Sequence, residues 1–290
     1  MADLKKKLST NVAGDFFVDS TCINCDTCRQ LALATFQEKG DYSSVYSQPE
    51  TEPERQDAWR ALLACPVGSI GTVEKDKAHL RRAMESFPLH LEGDVYYNGF
   101  NSEKSFGANS YFLRHEDGNW LVDSPRYTAH LVEAFERMGG IRYVFLSHED
   151  DVADAARYAR RFKATRIIHE EDAEAMPDAE WIVRGYEPEA ATAHVQLIPV
   201  PGHTAGSMAL LYDGRYLFSG DHLWWDRETG TLGAPEQLVW NRPRLLDSLT
   251  RLLTYRFEWV LPGHGQRVQL APDEMRRQLA ALVQRMRAIP

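Results

Sequence analysis

All four cysteines of this chain fall in its first quarter, at Cys22, Cys25, Cys28 and Cys65, and their spacing limits what that region can fold around. Cys22-x-x-Cys25-x-x-Cys28 sets three thiolates on one tight loop, and Cys65, followed by Pro66, can close a cage of four. Two residues between successive cysteines is close spacing for independent disulfides, and MADLKKKLST at the start has basic residues without the apolar core of a secretory signal. Metal ligation is the better account. Four soft, deprotonated sulfurs are what an iron–sulfur cubane requires. A structural zinc site is the alternative, but zinc cages usually come as two separated C-x-x-C pairs, not as a triplet plus a singleton.

The 290 residues suffice for one large domain or two ordinary ones, and 43% hydrophobic with 26% charged residues excludes fibrous and wholly disordered chains. A net charge of −9 repels phosphate backbones and anionic lipids, so nucleic-acid and membrane-surface partners are not expected. No apolar run approaches the roughly 18 residues of a membrane-spanning helix. A cytoplasmic location is the corresponding expectation.

Local patterns divide the chain. The first region reads as a short strand in GDFFVDS, the cysteine loop, a helix from about Arg29, a strand near Tyr42 to Tyr46, a helix over Glu52 to Ala64 and a short strand after Pro66. The charged stretch EKDKAHLRRAMESF reads as a linker helix closed by Pro88. Longer strands follow: HLEGDVYYNG, a hairpin in SYFLRHEDGNWLVDS, IRYVFLSH, TRIIHEE, VQLIPVPGH, SMALLYDG, RYLFSGDH and FEWVLPGHG. Helices are expected near Thr128 to Arg137, Asp154 to Phe162, Arg242 to Leu253 and from Pro272. The expected units are residues 1–75, a linker helix over 76–88, and a domain over 89–290. Strand-rich halves interleaved with helices predict two sheets packed between helical layers.

Three of the ten histidines end strands in turn-like contexts: His148 in LSHEDDVAD, His203 in VPGHTAGS and His264 in LPGHG; Asp221 in FSGDH sits alike. Strand-end placement brings residues distant in sequence to one rim, where imidazole and carboxylate can share a metal. A lone histidine is more often a hydrogen-bonded structural residue, but four such sites in one chain argue for a metal centre.

The first region resembles the single-cluster bacterial ferredoxins, in which C-x-x-C-x-x-C is completed by a distant C-P, here in CPVGSI. The resemblance implies a 4Fe-4S cluster on Cys22, Cys25, Cys28 and Cys65. From about His90 onward, the histidine motifs and the LVDS segment around Asp123 resemble the metallo-β-lactamase superfamily. That resemblance implies an α+β chain in which a ferredoxin-like domain precedes an αββα sandwich with one or two metals at its edge. His148, His203, Asp221 and His264 match family ligands, and Asp221 takes the position that usually bridges two metals.

The chain departs from the family signature H-x-H-x-D-H. Asp150 falls where the second histidine should be, and Val152 and Ala153 fill the later Asp-His places. The missing carboxylate is then either Asp154, with Ala155 in place of histidine, or Asp151. Asp150, with either carboxylate, completes the expected metal set; Asp221 and Asp154 are the expected catalytic residues. So oxygen-rich a donor set lets iron or manganese compete with zinc.

The first functional reading is a hydrolase in which a metal-bound hydroxide attacks a small-molecule ester, thioester, lactone, amide or phosphoester. The second is an oxidoreductase in which the cluster, supplied by an electron-transfer protein, feeds an iron site, similar to the flavodiiron proteins, whose lactamase-like domain has a carboxylate replacing one histidine. The third is a redox-sensing scaffold without catalysis, its lactamase-like pocket degenerate and metal-free. Trp224 and Trp225 are read as pocket walls or packing residues with equal weight. Arg157, Arg160, Arg161, Lys163 and Arg166 read as a solvated helix face sooner than a phosphate site.

Overall fold

A computed structural model describes residues 2–288; residue 1, the start of the first expected unit, and residues 289–290, the end of the second expected domain, lie outside the described residues. Around the cysteines, Phe16–Val18 pairs antiparallel with Ile70–Thr72, and Phe36–Lys39 forms a hairpin with Tyr42–Val45. The helix Glu52–Ala64 begins at a capping box, in which Thr51 accepts from the Glu54 amide while the Glu54 carboxylate returns to the Thr51 amide. Its buried Ala58, Trp59 and Ala61 pack with Phe16, Val18, Phe36 and Val45 into a small core that includes Cys28 and Cys65.

The charged stretch after this core is not a free linker. Its helix, Lys77–Glu85, packs along Glu52–Ala64 and buries Ala83 in the first core, while Phe87 already belongs to the core that follows.

Two sheets make up the rest. One is seven-stranded and runs Trp181–Val183, Thr165–His169, Tyr143–Phe145, Trp120–Val122, Tyr111–Leu113, Val95–Tyr97, Leu89–Glu92. The other is six-stranded and runs Glu189–Ala190, Val195–Pro199, Met208–Tyr212, Tyr216–Gly220, Trp259–Pro262, Val268–Gln269. Successive residues of a strand face opposite ways, and the second sheet uses both faces: Leu197, Leu210 and Phe218 pack toward the first sheet, while Ile198, Ala209, Leu211 and Leu217 pack under helices Arg242–Leu252 and Pro272–Ala288. Burial on both faces explains why these strands read as near-continuous apolar runs. Helices Ala129–Arg137 and Ala155–Phe162 cover the first sheet, with Phe112 stacked on Phe135 at 4.8 Å between ring centroids. The layers are therefore αββα.

The strands differ from the sequence reading in two ways. HLEGDVYYNG is two short strands, Leu89–Glu92 and Val95–Tyr97, because the left-handed Gly93 (φ 55) folds the run back on itself. The strands Phe36–Lys39, Trp181–Val183, Glu189–Ala190 and Val268–Gln269, and the hairpin Trp224–Asp226 with Thr231–Gly233, had no sequence counterpart. In the basic stretch near Arg157, read as a solvated helix face, Arg157 and Arg161 are exposed, Arg157 lying over Tyr127 and Arg161 pairing with Glu136, while Arg166 stands on the strand Thr165–His169 and pairs with Glu180 at 2.7 Å. Among the described residues no helix is long and apolar enough to cross a membrane.

Candidate metal centre

Neighbouring strand ends assemble the centre. Tyr216–Gly220 runs parallel to Trp259–Pro262, so the residues just past them, Asp221 and His264, lie side by side with His264 Nδ1 2.8 Å from Asp221 Oδ2. His148 follows Tyr143–Phe145 in the other sheet, and His203 enters on the loop after Val195–Pro199. Two triads result. His148, His203 and Asp221 form one, and Asp151, Asp221 and His264 form the other, the donor atoms in each lying within 4.8 Å of one another. Asp221 belongs to both. Asp150 faces the first triad, its carboxylate 3.7 Å from His148 Nε2 and 3.4 Å from His203 Nε2, with its side chain 64% exposed.

Backbone geometry sends Asp151 and Asp154 to different places. Glu149–Asp151 is a single 3₁₀ turn, in which residues three apart eclipse, so Asp151 returns to the His148 side at 4.0 Å and is fully buried. At Ala153 the backbone turns left-handed (φ 33) and carries Asp154 away. The Asp154 carboxylate instead accepts from Lys104 Nζ at 2.8 Å and from the Tyr127 amide at 2.9 Å. The structure thus places Asp154, expected as a ligand and catalytic residue, outside both triads and between two neighbouring loops.

Supporting residues appear that the sequence reading missed. Ser147 Oγ lies 2.9 Å from His148 Nδ1, and the Ser147 amide donates to Asp123 at 2.8 Å. Buried Asp172 accepts from the Glu149 amide, Thr204 Oγ1 and the Gly206 amide, tying the His148 and His203 loops together. Gly263 is a space requirement: a Cβ there would sit 2.6 Å from Asp221 Oδ1 and 2.7 Å from Asp151 Oδ2. Only the strand context of Asp123 had been visible; Asp172 lies in an acidic run, HEEDAEA, with nothing to single it out.

The electrostatics fit cations. Both oxygens of Asp151 and the Nε2 atoms of His148, His203 and His264 are buried without a hydrogen-bond partner, a costly arrangement unless something else satisfies them. Burial, and then the Asp221 charge, push the Asp151 carboxyl well above the usual range. Burial also acts to raise Asp221, but His264, His148 and His203 overcome it and hold that carboxyl low. Burial works against a charged His264, yet Asp221 and Asp151 raise it to about 10. Divalent ions would replace these protons and give the unpartnered donors of the two triads a partner. The donors, three imidazoles with carboxylates from Asp150, Asp151 and Asp221, suit iron, manganese or zinc.

The four cysteines are unbridged and converge on one small pocket that Val18, Ile23, Ile70 and Thr27 also line. Burial pushes the Cys25 thiol to about 11 and Cys28 higher still. Such buried thiols give up their protons to a strong Lewis acid, and an apolar shell around sulfur is the setting of an iron–sulfur site. The protein is expected to be brown when purified anaerobically, to bleach with dithionite, and to lose its colour in Cys25→Ser; a colourless parent with zinc on the cysteines would refute the cluster.

A wide cleft opens over the metal centre. Phe106, Trp224, Leu238 and Trp240 line it beside Glu149, Asp150 and Glu171. Trp225 faces away, packing beneath the C-terminal helices, so only one of the two indoles walls the pocket.

Comparisons with known proteins agree with this architecture. Residues 18–72 match the 4Fe-4S single cluster domain of Ferredoxin I, and residues 88–283 match the metallo-beta-lactamase superfamily. A hydroxyacylglutathione hydrolase of Xanthomonas axonopodis pv. citri (strain 306) is 29% identical over 150 residues, covering 51% of this chain and 54% of the relative. A lactamase-like protein, GME11357, of Pestalotiopsis microspora is 26% identical over 189 residues, 62% of this chain and 56% of its own length. The chain thus spans about half the length of the curated relatives it matches. The crystal structure of DIM-1 metallo-beta-lactamase superposes with a TM-score of 0.52 at 14% identity, covering 68% of this chain and 95% of that one. An αββα sandwich whose family model spans residues 88–283, more than half of the chain, makes this chain a member of the metallo-β-lactamase superfamily, with a single-cluster ferredoxin domain ahead of it.

Proposed function

We propose that the chain is a metal-dependent hydrolase whose substrate presents an apolar acyl group. The observation that carries the reading is the pair of ligand triads sharing Asp221 at the floor of an open cleft. Two divalent ions in such a site acidify water and polarise a carbonyl oxygen. The protein's own contribution is to hold the donors: Ser147 fixes the His148 ring, Asp172 locks the His148 and His203 loops together, and Gly263 leaves room for two carboxylates.

The cleft's chemistry supports the substrate class. Leu238 is 87% exposed, Phe106 57% and Trp240 54%, an apolar rim that a ligand would cover. Among the residues lining the cleft the only lysine or arginine is Lys104, and Asp154 holds it at 2.8 Å. With Glu149 and Glu171 nearby, the mouth repels an anionic thiol carrier such as glutathione and accepts an uncharged one.

The test is hydrolysis of a panel of esters, thioesters and lactones by protein loaded with zinc, iron or manganese, against the chelated protein. Metal-dependent turnover is expected, with thioesters of uncharged thiols preferred over glutathione thioesters. Trp240→Ala is expected to lower kcat/KM for apolar acyl substrates about tenfold, the cost of losing one buried aromatic contact. No turnover with any metal ends the hydrolase reading; preference for glutathione thioesters ends the substrate assignment alone.

A further inference from the structure

One segment, from Ser102 to Asn109, touches both inorganic sites. Gly107 presses on the cysteine loop so closely that an added Cβ would lie 2.9 Å from Cys25 Sγ and 3.1 Å from Pro66 Cγ. Its carbonyl accepts from Thr27 Oγ1 at 3.2 Å, and Thr27 Oγ1 is itself 3.4 Å from Cys25 Sγ. One residue back, the Phe106 ring lies 6.4 Å from the His264 ring, between centroids. Asn109 makes a second bridge: its side chain donates to Gln30 Oε1 at 3.2 Å on the cysteine side and to the Pro262 carbonyl at 3.3 Å, while its amide donates to the Gly263 carbonyl at 2.6 Å.

The segment is also held still. Asn101 at its root is buried and donates to the Gly107 carbonyl at 2.7 Å and to Thr27 Oγ1 at 3.1 Å, and Lys104 is tied to Asp154. Arg126, donating to the carbonyls of Leu63 and Pro66, sets a positive charge near Cys65, which favours the reduced state of a cluster there. Nothing in hydrolysis calls for a cysteine cage one residue's width from a contact with a metal-site histidine.

We propose that the Phe106–Gly107 step carries one electron from the cysteine site to the histidine–aspartate site. In this transfer a reduced 4Fe-4S cluster is oxidised by one electron and a ferric ion among His148, His203, His264 and the aspartates becomes ferrous. No covalent bond forms or breaks, and the electron enters the cluster from an external one-electron donor protein. The proposal goes beyond the hydrolase reading and rests on the two sets of ligands alone.

The experiment uses the full chain, purified anaerobically, with the histidine–aspartate site reloaded with a Mössbauer-active iron isotope, left ferric, and the cluster carrying ordinary iron. Substoichiometric dithionite is added without substrate. The expected result is a ferrous signal from the isotope, with the cluster returning to its oxidised absorbance. In Phe106→Ala, which keeps the cluster colour, the return is expected to be about tenfold slower, a loss of coupling typical of removing one member of a contact network. Leu238→Ala, in the same cleft but away from the cysteines, serves as the control at parent rate. An electron that stays on the cluster overturns the proposal, and an unchanged rate in Phe106→Ala overturns the route. Turnover of esters or thioesters is not part of the readout, so the hydrolase reading stands or falls separately.

Discussion

Asp221→Ala is expected to empty the histidine–aspartate site completely while the cluster survives. Asp221 is the only residue common to both triads, and its carboxylate sits within 3.6 Å of His148 Nε2, 3.8 Å of His203 Nε2 and 2.8 Å of His264 Nδ1. Without it the three imidazoles lose the anion they share, and the remaining carboxylates do not replace it: Asp150 reaches only the first triad, and Asp151 belongs to the second. Metal beyond the cluster should fall to background, leaving about four irons per chain and the visible absorbance intact. Hydrolysis should fall about a thousandfold or more, since the ions supply several kcal/mol of charge stabilisation. His203→Ala is the graded comparison, because it damages one triad and leaves Asp151, Asp221 and His264 whole. Parent metal content in Asp221→Ala would refute a shared centre.

What the sequence disclosed was whatever depends on local spacing or strand ends. The cysteine loop announces itself because three of its ligands are two residues apart, and His148, His203, Asp221 and His264 each stand where an apolar strand runs into a turn. The αββα layering was legible for a related reason, since strands buried on both faces read as apolar runs and the amphipathic helices between them read at a different period. Three things were hidden. The left-handed turn at Ala153 is made without glycine, so nothing in HEDDVADA says which aspartate turns inward. Asp172 works from a 3₁₀ segment, Glu170–Ala175, whose acidic run resembles solvated surface. The Ser102–Asn109 segment has no periodicity, and its meaning lies in contacts with Cys25, Gln30 and His264, far from it along the chain. Tertiary placement decided these, and no local propensity encodes it.

Asp151→Asn and Asp154→Asn are expected to separate cleanly, although the two residues are three apart and chemically identical. Asp151 is wholly buried with neither oxygen hydrogen-bonded, beside Asp221 and His264. The amide keeps its shape, removes the charge that a second cation needs, and places an NH₂ group where a donor oxygen should be. About one metal per chain should be lost, with the ion near His148, His203 and Asp221 retained. Asp154 has both oxygens engaged, by Lys104 and by the Tyr127 amide. Its amide variant should keep the parent metal content and instead weaken the tether on the Ser102–Asn109 segment, costing about 1–3 kcal/mol of stability for a charged, largely buried hydrogen-bonded group. Metal analysis read beside the thermal midpoint distinguishes the two roles. Loss of metal from Asp154→Asn, with retention in Asp151→Asn, would reverse the assignment and move the second metal toward Lys104 and Tyr127.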